Sequence, residues 1–284
     1  MTQAPQEWRS AYQDDGFVIV PDVLDPALVC TLRQCMDEIT ASPENLPRYL
    51  APKIFLERDH VRNNPQWYSG TVAPDDCARA VRQIADLGRF GPAFADLIGH
   101  PPLLDVLETL FGSPEFSFIQ MVGRPKAARV GNGISNGSFH RDSPFADFTS
   151  TDTITAILCL DDMTGANGAT SFVRGSHRVS DEEAAKPCWR DVPADRLPPG
   201  DRVDVRCGAG SAVIFSDKLL HAAGHNRSEQ PRRTILSEWA GPDALPTSPV
   251  RHPYQGLRPR SKDPLYRKQI RMTFPHLPGG ETNG

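Results

Sequence analysis

EFSFIQMV (Glu115–Val122), TITAILCL (Thr153–Leu160), SAVIF (Ser211–Phe215) and RTILSEWA (Arg233–Ala240) decide the fold. Each is short, β-branched or aromatic, and bounded by Gly, Pro, Asn or Asp, which predicts strands. NGAT (Asn167–Thr170) adds an Asn-Gly pair of the kind that joins antiparallel strands tightly. GFVIV (Gly16–Val20) has strand character as well. Between it and residue 112 the texture is helical. Asp25-Pro26 reads as an N-cap followed by proline at the first helical position. Leu28, Val29, Leu32, Met36 and Ile39 then recur at helical spacing and predict one buried stripe. CARAVRQIADLG (77–88) and PPLLDVLETLFG (101–112) predict two more helices, the second ending at Gly112. Helices first and short strands afterwards predict a mainly β protein with flanking helices, an antiparallel barrel or jelly roll buttressed by the N-terminal helices.

On that reading residues 1–284 form one domain. Residues 14–112 are helical support, 113–240 the β core, and 241–284 a C-terminal extension ending in the loose tail MTFPHLPGGETNG. Within the support, residues 41–73 mix Pro43, Pro47, Pro52 and Pro65 with Tyr49, Phe55, Trp67 and Tyr68. A loop of that length suits a lid or binding loop, and equally a surface excursion packed on the core.

Hydrophobic residues make up 39% and charged residues 23%, as in a globular protein with a sizeable core. A net charge of −4 without a basic, aromatic-interleaved stripe argues against nucleic acid and anionic membrane as partners. MTQAPQEWRSAYQDDGFVIV (1–20) is too polar for a signal peptide, and no run reaches the ~20 apolar residues of a membrane span. Six dispersed cysteines without a C-x-x-C pair read as reduced thiols. A cytoplasmic enzyme is expected; oligomeric state is not legible.

The chemistry concentrates in SFHRDSPF (138–145) and SDKLLHAAGHN (216–226). On a strand, residues i and i+2 share a face, so His140 and Asp142 would project together with Arg141 outward. A third ligand must come from elsewhere, and His221 follows the apolar strand SAVIF. Two histidines and a carboxylate hold ferrous iron on one face and leave the opposite positions open. H-x-D alone is a weak signal, and histidines at 60, 100, 177, 225, 252 and 276 show that imidazole is not scarce. The ordered set carries more: H-x-D, a strand-ending His, then Arg232 eleven residues later.

The chain resembles the phytanoyl-CoA dioxygenase (PhyH) family of iron(II)- and 2-oxoglutarate-dependent oxygenases. The resemblance lies in DGFVIVPDVLDPALVCTLR, HPPLLDVLETLFG, FHRD, LDDMTGANGATSFVRGSH and HAAGHNRSEQPRRTIL, in that order, over residues 14 to 240 or so. It implies a double-stranded β-helix (jelly-roll, cupin-like) core. It also makes His140, Asp142 and His221 the Fe(II) ligands, with Arg232 on the distal carboxylate of 2-oxoglutarate. A planar, permanently charged guanidinium suits that task because it grips a carboxylate with two parallel hydrogen bonds. Arg233 is its rival, since a one-residue shift swaps faces, and His225 is the rival of His221. Thr170 and Gln120 occupy places where relatives contact the cosubstrate, and His177 one where they hydrogen-bond structurally. Phe139, the RGSH run (174–177) and Gly210-Ser211 depart from the family's usual Trp, PGSH and Gly-Asp without removing a ligand. Chlorinating relatives carry Gly or Ala in place of the carboxylate; Asp142 argues for oxygenation.

The resemblance implies consumption of 2-oxoglutarate and O2, release of succinate and carbon dioxide, and hydroxylation, desaturation or epoxidation of a small-molecule substrate. A natural-product intermediate fits the aromatic segment 41–73, Phe145, Phe148 and the region after Gly241. Acyl-CoA thioesters and amino acids are the family's other substrates. An oxoacid-independent cupin-type metal enzyme and a non-catalytic barrel stay open from sequence alone.

Overall fold

A computed structural model describes residues 5–63, 77–128, 138–142, 149–150, 152–186, 189, 192–193, 196–197, 202–247 and 253–273. Helix α1 (Pro5–Asp15), which the sequence reading did not predict, leads into strand β1 (Phe17–Val20) and helix α2 (Pro26–Ala41). Asp25 caps α2 as predicted, its carboxylate accepting from the Leu28 N–H at 2.9 Å. That bond satisfies one of the amides a helix start leaves without a partner. Val29, Leu32, Met36 and Ile39 form the buried stripe, with Leu28 partly covered beside it. Short helix α3 (Glu57–Asn63), helix α4 (Pro92–Ala95) and helix α5 (Pro101–Phe111) complete the first half, and α5 stops at Gly112 in the left-handed region (φ 68°).

Two sequence expectations fail in this half. Residues 77–88 are not a helix: Val81–Ile84 is strand β3, pairing with strand β2 (Ile54–Leu56) on one side and with strand β4 (Ser117–Lys126) on the other. Val81 and Ile84 stand one helical turn apart, but their partners, Leu56 and Ile54, come from a segment some 25 residues away. Such pairing overrides local preference and cannot be read from a short window. Residues 41–73 are likewise not one long loop, since β2 and α3 lie inside them; residues 64–73, with Trp67 and Tyr68, are outside the described residues, as are Phe145 and Phe148. The helical support therefore donates three strands to the sheet.

The larger sheet adds β4 (Ser117–Lys126), β6 (Thr153–Cys159), β10 (Ala212–Ser216) and β12 (Arg232–Ala240). Its order is β1-β10-β6-β12-β4-β3-β2, antiparallel throughout. A second layer holds β11 (His221–Ala223), β7 (Thr170–Val173) and β9 (Arg202–Asp204), with β5 (Ser138–Phe139) and β8 (Val192–Pro193) beside them. Asn167-Gly168 does not close a hairpin as expected: β6 and β7, which it separates, lie in different sheets. The Asn167 side chain instead ties its own loop, accepting from Thr164 N–H and donating to the Asp162 carbonyl. Helices α6 (Asp181–Ala184) and α7 (Pro264–Thr273) follow, α7 unforeseen in the C-terminal extension.

Strand alternation gives the larger sheet two different faces. Ile214, Ile235, Leu158 and Trp239 pack outward against Leu32, Met36, Leu103 and Leu107 of the helices. Phe17, Ile157, Phe172, Val213 and Phe215 fill the space between the layers. A bulge at Glu238/Trp239 shifts the β12–β4 register, so that Gln120 faces Glu238 while Phe118 faces Trp239. The Trp239 indole meets Phe116 and Phe118 edge-on at 5.6 and 5.2 Å. No helix among the described residues is long and apolar enough to cross a membrane.

Asp25→Ala should destabilise the fold by about 1 kcal/mol, read as a lower denaturation midpoint with unchanged slope. An unchanged midpoint would show that the cap contributes nothing.

Candidate metal centre

Strand β5 runs one residue further as a bridge to β11. The His140 N–H donates to the His221 carbonyl at 3.0 Å, and the His221 N–H donates back to the His140 carbonyl at 2.9 Å. Residues so paired project side chains on one face, and the two rings lie 4.3 Å apart between centroids. Asp142, two residues on, is fixed by its N–H donating to the Asp217 carbonyl at 3.0 Å. Its carboxylate stands 3.6 Å from His140 Nε2 and 3.5 Å from His221 Nε2. One ligating atom from each of the three lies within 4.8 Å of the others. Adjacent ligands on one ion, each bonded at about 2.1 Å, sit about 3 Å apart, so the trio needs only slight contraction to hold a metal. His221 Nδ1 donates to the Leu219 carbonyl at 3.0 Å, which leaves Nε2 as the lone-pair nitrogen facing the trio. Arg141 turns away from the trio, as expected from the sequence, and its side chain is buried and paired with Asp181 at 3.3 Å.

The trio opens on a cavity of about 740 Å³, counting its mouth, between the two layers. Arg232 lines it, with Lys126 directly opposite on β4. Arg232 Nη1 donates to Thr234 Oγ1 at 3.3 Å and Nη2 to the Gly168 carbonyl at 3.2 Å, while its buried Nε has no partner. Lys126 Nζ donates to the same Gly168 carbonyl at 3.1 Å and to Gly224. Gly168 is required here: its φ is +80°, and a Cβ would stand 2.5 Å from the Gly224 carbonyl oxygen. Arg233 faces the other way, bound to Asp37 at 3.1 Å and Asp161 at 3.5 Å. Thr170 lines the cavity at the start of β7. Gln120 does not line it; its amide donates to Glu238 at 2.7 Å. His225 lies outside the trio, and His177 hydrogen-bonds the Gln13 carbonyl at 3.0 Å.

Three basic cavity residues escaped the sequence reading: Arg82, Arg124 and Lys126. Arg82 is buried against Glu57 at 3.1 Å. Burial, and then the charge of Arg232, pushes the Lys126 ammonium well below its usual range. Burial brings Arg124 and Arg232 down to about 10, which leaves both cationic at neutral pH. Asp217, beside the trio, is pushed well up by burial and by the charges of Asp142 and Glu238, while Thr155 donates to it at 2.7 Å. Glu238 is pushed up to about 7, again chiefly by burial.

The sequence model of the phytanoyl-CoA dioxygenase (PhyH) family matches residues 12–234. A dioxygenase of Aspergillus aculeatus is 26% identical over 94% of this chain and 83% of its own length. An Fe(II)/2-oxoglutarate-dependent dioxygenase of Aspergillus novofumigatus is 25% identical over 88% of this chain and 74% of its own length. Among solved structures, the epimerase SnoN in complex with Fe3+, alpha-ketoglutarate and nogalamycin RO superposes with a TM-score of 0.61. It is 22% identical over 87% of both chains, and so shares the fold.

Folding raises the Glu238 pKa from 4.5 to about 7, so between those values the folded chain keeps a proton that the unfolded chain has lost. That stabilising contribution is complete below about pH 4.5 and is lost as pH rises through about 7. Glu238→Gln should abolish the loss, so its melting temperature relative to the native chain should climb between pH 5 and pH 8. A difference that stays flat with pH would contradict the assignment.

Proposed function

This chain belongs to the phytanoyl-CoA dioxygenase (PhyH) family and is a non-haem iron(II)- and 2-oxoglutarate-dependent dioxygenase; on that premise we propose that His140, Asp142 and His221 hold the iron and that Arg232 holds the far carboxylate of 2-oxoglutarate. The substrate is a small metabolite, a natural-product intermediate, oxidised at an unactivated C–H bond. The whole chain acts as one oxygenase domain. Its compartment is the cytoplasm, in keeping with the free thiols of all five cysteines among the described residues.

The observation that carries this reading is the convergence of two imidazoles and one carboxylate beside a cavity that His140, His221 and a buried guanidinium, Arg232, all line. When bound, iron with 2-oxoglutarate and O2 supplies the oxidising chemistry, with succinate and carbon dioxide as coproducts. The protein supplies position and charge. His221 is held in one tautomer by Leu219, and His140 is tied to it through paired backbone bonds. Asp142 contributes the anionic ligand, and burial, with the charge of Asp142, shifts its neighbour Asp217 toward the neutral form. Arg232 keeps an unpartnered Nε and a rigid fork in a buried setting, where a carboxylate would complete its hydrogen bonds. Ile157, Phe215 and Leu236 wall the cavity and limit competing water.

His140→Ala should abolish iron-dependent succinate release; full turnover in that variant would remove the ligand assignment. Arg232→Ala should weaken 2-oxoglutarate binding by ~1.5–3 kcal/mol, roughly tenfold to a few hundredfold. Arg233→Ala should leave it unchanged. Anaerobic titration of Fe(II) and 2-oxoglutarate, followed by visible absorption, checks both, and equal losses in the two arginine variants would move the anchor elsewhere.

A further inference from the structure

Four basic side chains line the metal cavity: Arg82, Arg124, Lys126 and Arg232. Three are accounted for. Arg82 pairs with Glu57, Lys126 donates to two backbone carbonyls, and Arg232 is assigned above to the cosubstrate. Arg124 makes no side-chain hydrogen bond or ion pair among the described residues. A half-buried guanidinium that lines a cavity without a hydrogen-bond partner is open to a ligand that can satisfy it.

Strand geometry says where that ligand lies. Along β4 the inward residues run Lys126, Arg124, Val122, Gln120, facing Arg232, Thr234, Leu236 and Glu238 of β12. In the other layer Ala223 faces Thr170 and His221 faces Phe172. Lys126 donates to Gly168 and Gly224, beside Thr170 and Ala223, which fixes the depth of the cavity floor. One inward step from that floor, about 7 Å along each strand, brings β4 to Arg124 and β11 to His221. Arg124 therefore faces the metal trio across the cavity, one level above the residue that holds the cosubstrate's far end.

We propose that Arg124 anchors a carboxylate of the substrate, so that this enzyme oxidises a small carboxylic acid rather than a neutral molecule. The inference rests on the iron-site reading above and adds the substrate's chemical class. A carboxylate could also come from the cosubstrate. Its keto-acid end, however, is neutralised by the metal it chelates, and its far end by Arg232, which leaves Arg124 for the substrate. A guanidinium at this level would also fix which carbon faces the metal, because a two-point grip restrains rotation of the acid.

The test uses a panel of small carboxylic acids, including the common amino acids, each beside its primary amide. Stimulated succinate release is measured first, and then calorimetric binding to the anaerobic Fe(II)–2-oxoglutarate complex. At least one acid, and not its amide, should bind and stimulate the native enzyme. Arg124→Gln should weaken binding of that acid tenfold or more while leaving 2-oxoglutarate affinity within about twofold; Arg124→Lys, which keeps the charge without the fork, should fall between. Amides that match their acids would overturn the proposal, as would a panel in which no acid acts. Loss of 2-oxoglutarate affinity in Arg124→Gln, with acid binding intact, would reassign Arg124 to the cosubstrate. Failure of the native protein to form the visible Fe(II)–2-oxoglutarate band is a separate outcome: it defeats the iron-site reading, and this proposal with it.

Discussion

The reciprocal backbone pairing of His140 with His221 is the contact on which the site depends. It is a single bridge, yet it joins β5 to β11 and sets two imidazoles side by side before any metal is considered. Asp142 follows by chain geometry and by its hydrogen bond to Asp217. Slippage by one residue at this bridge would turn both rings to opposite faces. The surrounding sheets, with the helices behind them, hold that register in place.

A second constraint is electrostatic. The cavity gathers positive charge on the larger sheet and negative charge at the metal trio, with Asp217 and Glu238 both shifted toward their neutral forms by burial. Arg232 and Lys126 face each other across paired strands and share the Gly168 carbonyl as acceptor. Two basic groups so close repel as cations, which, after burial, lowers the Lys126 ammonium, and that carbonyl and its Gly224 counterpart accept their hydrogen bonds. The glycine in Asn167-Gly168 matters for this reason, and not for closing a hairpin.

Much of this was legible in the residues. The Asp25 cap, the α2 stripe, the Gly112 stop and the four central strands all carry local signals that the fold keeps. The H-x-D pair and His221 stood out by order and spacing, and the family resemblance pointed to Arg232. What was hidden depended on distant partners. Strand β3 reads as a helix because its pairing residues belong to β2 and β4. Arg124 and Lys126 were missed because Gly123 and Pro125 look like strand breakers, although the alternation from Gln120 through Val122 continues into them. Arg82 gives no signal until Glu57 is seen beside it.

The register shift at Glu238/Trp239 has a consequence of its own. It divides the β12–β4 ribbon into two stretches with independent phase. On one side Phe116, Phe118 and Trp239 lock the sheet to its helices; on the other, Arg124 and Lys126 line the ligand space. Changes that retune ligand chemistry can accumulate along the second stretch without disturbing the aromatic anchor of the first. A scaffold partitioned in this way can diversify its selectivity while its architecture stays fixed.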